Sequence, residues 1–213
     1  MGKETLNSGT VIQVTLNHNL GYTFVKVINM CDFSEYDLST TFHLIIYSYN
    51  YIVQKEEDYR EEDFLKAEPL AGPLFVDDIL WAIRNKKYKI KGEISLREYE
   101  KKLPSFRGFS AMVFKDHYYE DEATHWDYFE NGTPFKWIVA TYDQVKHLED
   151  NTALDYEAIE MRLSMEFLYR SGKNIKDYYK LEDWEELSLY NNMIYKTPFN
   201  EVPDELKGLV KKI

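Results

Sequence analysis

Residues Val11 to Asn17 place Val11, Gln13 and Thr15 on one side of an extended chain and Ile12, Val14 and Leu16 on the other. A strand-like pattern resumes from Tyr22 to Met30 after His18-Asn19-Leu20-Gly21, where Gly21 can take the positive φ that a tight turn needs, so the pattern predicts a β-hairpin. Phe42 to Val53 predicts a longer strand, with Phe42, Leu44 and Ile46 on one face and Ile45, Tyr47, Tyr49 and Tyr51 on the other. Both faces are apolar or aromatic. That fits a central strand covered on both sides, or one that shows its tyrosine row to a partner.

Beyond this strand the pattern breaks up. Residues 55–68 hold seven acidic and three basic side chains and are closed by Pro69 and Gly72-Pro73, which reads as a surface loop or a short solvated helix. Asp78 to Ile83 fits a helical turn carrying Ile79 and Trp81, and Tyr88 to Lys91 a short strand stopped at Gly92. Ser95-Leu96-Arg97-Glu98 has the capping-box spacing of a short helix, ended by Pro104. Phe109 to Phe114 and Trp137 to Thr141 read as strands on either side of an acidic and aromatic stretch, Tyr118 to Glu130, and an Asn131-Gly132 turn.

The last third changes period. Ile159, Leu163 and Phe167 recur every fourth residue, Met161, Met165 and Leu168 widen the stripe, and Gly172 supplies a stop, which predicts a helix over 153–171 opened by Thr152-Ala153-Leu154-Asp155. On that helix Glu166 and Arg170 are spaced to pair, and Glu157, Glu160 and Glu166 fall on its polar side. A second helix from Leu181 to about Met193 follows, and the tail after Pro198 and Pro203 reads as a wrap. The expected class is α+β: a mostly antiparallel β part over 1–117, as a small barrel or curved sheet, with an α-rich part over 118–213 packed on it, the two able to form one compact unit.

Composition adds a direction. A formal net charge of −11 together with 18 Tyr and 4 Trp favours a basic protein partner and disfavours nucleic acid, whose phosphates need Lys and Arg. Cys31 is the one cysteine, so no disulfide within the chain and no multi-cysteine zinc site can form; a reducing compartment and a buried small side chain are the expectation. The first residues carry no apolar leader, and the longest apolar run is interrupted by His43, Ser48 and Asn50, which predicts no membrane span and a cytoplasmic location. Asn131-Gly132-Thr133 has glycosylation spacing but reads as a turn in that compartment.

Catalytic signatures are scarce. Gly172-Lys173-Asn174 lacks the spacing of a phosphate loop, and no dinucleotide fingerprint, nucleophile elbow or His-Glu-x-x-His is present, so no cofactor is expected. His117, Glu120, Asp121, Glu122, His125 and Asp127 offer the catalytic alternative, a divalent metal that activates water in a hydrolase, although their generic spacing better describes a solvated acidic loop; a regulatory or scaffold domain that binds another protein is the other alternative. The preferred reading is binding. Glu57, Asp58, Tyr59, Glu61, Glu62 and Asp63 form one candidate contact segment; Tyr118, Tyr119, Glu120, Asp121, Glu122, Trp126, Asp127 and Tyr128 form another; Tyr47, Tyr49 and Tyr51 join them if their row is exposed. Arginine on a partner stacks on rings and pairs with carboxylates in such a setting.

Ser8 to Leu16 and Gly21 to Ile28, followed by Tyr88 to Leu96 and Leu103-Pro104-Ser105-Phe106, together resemble the immunity protein 26 family of bacterial polymorphic-toxin systems over residues 9–106. Tyr88 departs from the tryptophan expected there in many members, and residues 125–213 lie outside the resemblance. The resemblance implies a mostly β domain, without catalytic residues, that binds a cognate toxin and blocks it in the producing cell. Charge complementarity extends this to a basic toxin, for example a nuclease whose substrate cleft the acidic protein would fill.

Overall fold

The computed structural model describes residues 6–34, 43–109, 126–129 and 137–211. Strands β1 (Thr10–Leu16), β2 (Gly21–Asn29), β3 (Leu44–Val53), β4 (Pro69–Phe75) and β5 (Lys89–Glu93) form an antiparallel sheet in the order β4-β3-β2-β1-β5. The sheet is loosely curved and open, with β4 and β5 as edges, so the small-barrel alternative gives way to an open sheet. The predicted β1–β2 hairpin is present, with Val14 opposite Thr23 and Leu16 opposite Gly21. Its turn uses left-handed backbone at His18 and Asn19 as well as Gly21, and a Cβ on Gly21 would stand 2.3 Å from the Val53 carbonyl oxygen.

Both faces of the sheet are covered, which is why β3 is apolar throughout. On one face Ile12, Val14, Val25, Val27, Leu44 and Ile46 pack with Ile159, Leu163 and Met165 of α4 (Tyr156–Arg170), and with Leu189 and Met193 of α5 (Trp184–Ile194). On the other, Val11, Phe24, Ile28, Ile45, Tyr47 and Tyr49 meet Phe64 of α1 (Glu61–Lys66), Tyr99 of a 3-10 turn over Glu98–Lys101, Phe106 and Phe199. The C-terminal helices thus share one apolar core with the N-terminal sheet, and the class is α+β. At about 25 cal/mol per Å² of buried apolar area, these two layers supply the main stabilising force.

Helix starts and stops follow local chemistry. The predicted 153–171 helix begins three residues later, because Asp155 is its N-cap and accepts a hydrogen bond from the Ala158 amide at 2.8 Å. Gly172 at φ +69° closes it, as expected. The turn at Glu98–Lys101 is capped by Glu100, whose carboxylate accepts from the Arg97 amide at 2.7 Å, and Ser95 takes no part. Helix α2 (Ile79–Arg84) lies one residue later than the expected Asp78 to Ile83, with Asp78 as its N-cap, and β5 runs through Gly92 to Glu93.

A second antiparallel sheet joins β6 (Phe106–Phe109), β7 (Trp126–Phe129) and β8 (Trp137–Ala140) in that order, and a short helix α3 (Tyr142–Val145) follows. The strand expected at Phe109 to Phe114 is therefore earlier, and the rest of that range lies outside the described residues. The tail wraps back: Phe199 and Val202 are buried, and the Ser105 amide donates to the Gly208 carbonyl at 2.7 Å. Among the described residues no helix is long and apolar enough to cross a membrane.

Candidate functional site

The tyrosine row divides between core and surface. Tyr47 and Tyr49 are each 1 % exposed, and their rings pack on Tyr99, Phe199 and Phe64, so these two are core residues and form no contact surface. Burial of an aromatic ring between two layers outweighs any display of its edge. Tyr51 and Tyr59 are half-buried beside Phe24 and Phe64, and Lys91 lies over the Tyr59 ring with Nζ at 5.6 Å from its centroid. Burial pushes the Tyr59 hydroxyl up to about 12, with Glu61 adding repulsion.

Around these rings the acidic segment forms a ridge. Glu57, Asp58, Glu61, Glu62 and Asp63 are exposed, and none joins an ion pair among the described residues. Only Glu56 is neutralised, by Lys89 of β5. The ridge exists because Phe64 must reach the core: one apolar residue pins α1, and its other turns are left to solvent. Arg60 is held by the carbonyls of Glu57 and Tyr59 and pairs directly with none of these carboxylates, leaving the ridge net acidic. Of the second predicted segment, Trp126 and Asp127 lie in β7, and Tyr128 is half-buried against Ala140 and Val145. Tyr118, Tyr119, Glu120, Asp121 and Glu122 fall outside the described residues, as do His117 and His125. No group of three or more possible metal ligands occurs among the described residues.

Beneath the sheet's second layer sits a charged group that strand periodicity did not reveal. Lys26 of β2 bonds the Glu100 carboxylate at 2.7 Å and the Ser95 carbonyl at 3.1 Å, and the Tyr49 hydroxyl donates to the other Glu100 oxygen. Burial pushes the Glu100 carboxyl above its usual range and the Lys26 ammonium below its own, in each case against the pull of the partner. Such perturbation often marks catalytic groups. Here both side chains are essentially inaccessible, so the trio works as an internal clamp.

The clamp holds the wall of a cleft of about 590 Å³ lined by Glu68, Arg97, Tyr99, Lys102, Glu205 and Lys207 among others. Arg97 stacks on Tyr49 at 4.5 Å and donates to the carbonyls of Leu65 and Ala67. Lys207 donates to the Val202 carbonyl and to Asp204. The cleft mixes both signs of charge, with two of its three cations engaged by the protein itself.

Comparison with family models, curated proteins and solved structures found no match to this chain.

A second buried network ties the helical part together, and it corrects the expected helix face. Glu166 is 4 % exposed and pairs with Arg162 at 2.8 Å instead of Arg170; Arg162 also holds Glu149 at 3.1 Å, and Lys196 reaches Glu149 at 2.5 Å. Arg162 and Lys196 together outweigh the burial penalty and hold the Glu149 carboxyl below its usual range. Glu160 is half-buried and is pushed up to about 7, mainly by burial with Glu157 adding repulsion against the pull of Lys87.

Exposed rings lie elsewhere than expected. Trp81 is 46 % and Trp184 68 % exposed, well above the half-buried tyrosines of the ridge. Asp183-Trp184-Glu185-Glu186 carries the same acidic-aromatic signature as the segments chosen from the sequence, and it was legible by that criterion.

Proposed function

We propose that the chain is an immunity protein that acts in the cytoplasm of a bacterium and neutralises a basic cognate toxin by stoichiometric binding. The observation that carries this reading is the ridge of five exposed, unpaired carboxylates at Glu57, Asp58, Glu61, Glu62 and Asp63. An uncompensated acidic edge raises the encounter rate with a cationic partner by about 10- to 1,000-fold at low salt. The resemblance over residues 9–106 supplies the partner's class, and the ridge falls inside it.

The test is co-expression and titration with the product of a neighbouring toxin gene. A one-to-one complex that restores growth and associates more slowly as salt rises is the expected result. Reversing Glu61, Glu62 and Asp63 to Lys slows association at least tenfold at low salt and leaves the fold intact, because all three side chains are exposed, although they sit in the first turn of α1 and the reversal lowers the melting temperature by a few degrees. Absence of a complex, or an association rate indifferent to salt, would sink the proposal.

A further inference from the structure

The ridge steers but lacks a well-exposed aromatic anchor, and binding energy at interfaces concentrates in tryptophan, tyrosine and arginine. A different face supplies the anchors. Trp81, on α2, stacks on Tyr156 at the start of α4, with centroids 5.2 Å apart and planes at 27°. Trp184 opens α5, and Leu187, one turn later on the same side, is also exposed. The next residue after Trp184, Glu185, lies within electrostatic reach of Asp155 and Glu157 at the start of α4, so the openings of the two helices adjoin.

Charge at this face is mostly negative. Asp155, Glu157, Glu160, Asp183 and Glu185 surround the rings, and none forms an ion pair among the described residues. Their hydrogen bonds are local: Asp155 and Asp183 cap their helices, and Glu157 accepts from the Tyr156 hydroxyl at 2.6 Å. Against them stand Lys87, with Nζ 5.7 Å from the Tyr156 centroid, and Arg84, which ends α2 one turn after Trp81. Crowding shows in the carboxyl of Glu185, raised by burial and then by Asp155, Asp183 and Glu157. Exposed rings gathered on one face and rimmed by charge mark interaction sites more often than rings scattered singly.

We infer that the α2–α4–α5 face, built on Trp81, Tyr156 and Trp184, is the anchoring surface for a protein partner that presents arginine side chains. A guanidinium stacks flat on an indole while its fork of donors meets carboxylates, and lysine does only the second. This rests on the immunity reading for the partner's basic character, and it assigns anchoring to this face and steering to the ridge.

The full chain is titrated with a twelve-residue peptide of alternating arginine and glycine, and with its lysine counterpart, followed by calorimetry and indole fluorescence. Saturable, salt-sensitive binding of the arginine peptide, at least fivefold tighter than the lysine peptide, is expected. Trp81→Ala with Trp184→Ala weakens it at least tenfold, and Glu61→Lys with Glu62→Lys and Asp63→Lys less than threefold. Trp184→Ala alone, at a mostly exposed position, guards against misfolding of the double variant and weakens binding at least threefold. If the ridge variant loses binding and the tryptophan variants do not, or if both lose it equally, the anchoring assignment is overturned while the preference for a basic partner stands. If the wild-type chain binds neither peptide, the assignment and the basic-partner reading both fall.

Discussion

Replacing Lys26 with Met removes one half of a buried ion pair while keeping a side chain of similar length. The wild-type pair has side-chain exposures of 2 % and 0 %, and the ammonium stands 2.7 Å from the carboxylate. In the variant Glu100 keeps the hydrogen bonds from the Arg97 amide and the Tyr49 hydroxyl but loses its only direct counter-charge. Breaking a buried pair in this way costs about 3–5 kcal/mol, because the remaining charge is left without compensation. For a chain of this size each kcal/mol lowers the melting temperature by about 2–4 °C, so a fall of roughly 6–20 °C is expected. The loss depends on pH with a defined sign. A carboxyl whose folded pKa lies above its unfolded value is harmless below the unfolded value, about 4.3, and destabilises as pH rises through the folded one. Removing Lys26 raises the folded value further, so the deficit relative to wild type is small near pH 4 and largest near pH 7–8. Thermal melts followed by circular dichroism across that range measure it. Lys26→Met with Glu100→Gln recovers most of the loss, since no charge then remains to be buried. A deficit below about 1 kcal/mol, or one of equal size at both ends of the pH range, would refute the clamp.

Two further outcomes are expected. Arg162→Met leaves Lys196 alone against the buried carboxylates of Glu149 and Glu166 and costs about 3–5 kcal/mol in denaturant unfolding, whereas Arg170→Ala, at the position expected to pair with Glu166, costs clearly less. Glu160 has a folded pKa of about 7, above its unfolded value, so its contribution is fully present below about pH 4.3 and lost as pH rises through 7; Glu160→Gln therefore flattens the fall in melting temperature between pH 5 and 8, and an unchanged slope would count against the crowded acidic face.

The sheet was readable because its signal is local. Runs of β-branched and aromatic residues bounded by turn residues mark β1 to β3, with the His18-Asn19-Leu20-Gly21 turn between the first two. What was not readable depends on which residues meet. Lys26 appears in the sequence as a lone lysine in Phe24-Val25-Lys26-Val27-Ile28, with no hint that Glu100, far along the chain, closes on it. Glu166 reads as a solvent residue by its charge, yet it lies seven residues from Ile159 and three from Leu163, on the apolar side of α4, where Arg162 and Lys196 make its burial possible. Tyr47 and Tyr49 share a strand face with Tyr51, and only the arrival of the 98–101 turn and the Phe199 tail separates core from rim. Trp184 was missed for a different reason: its acidic setting was present in the sequence, but the helix periodicity around it drew attention to the apolar stripe instead.

The internal networks also alter the meaning of the acidic excess. Lys26, Arg107, Arg162, Lys196 and Lys207 are buried, against Glu100, Glu149 and Glu166. Among the described residues five buried cations face three buried carboxylates, an excess of positive charge held inside a chain whose formal net charge is −11. The fold thus takes up positive charge to hold its layers together and leaves carboxylates outside, at the α1 ridge and at the start of α4 and α5. Both functions follow from one allocation: the same lysines and arginines that would have neutralised the surface stabilise the core, and the surface is acidic in consequence.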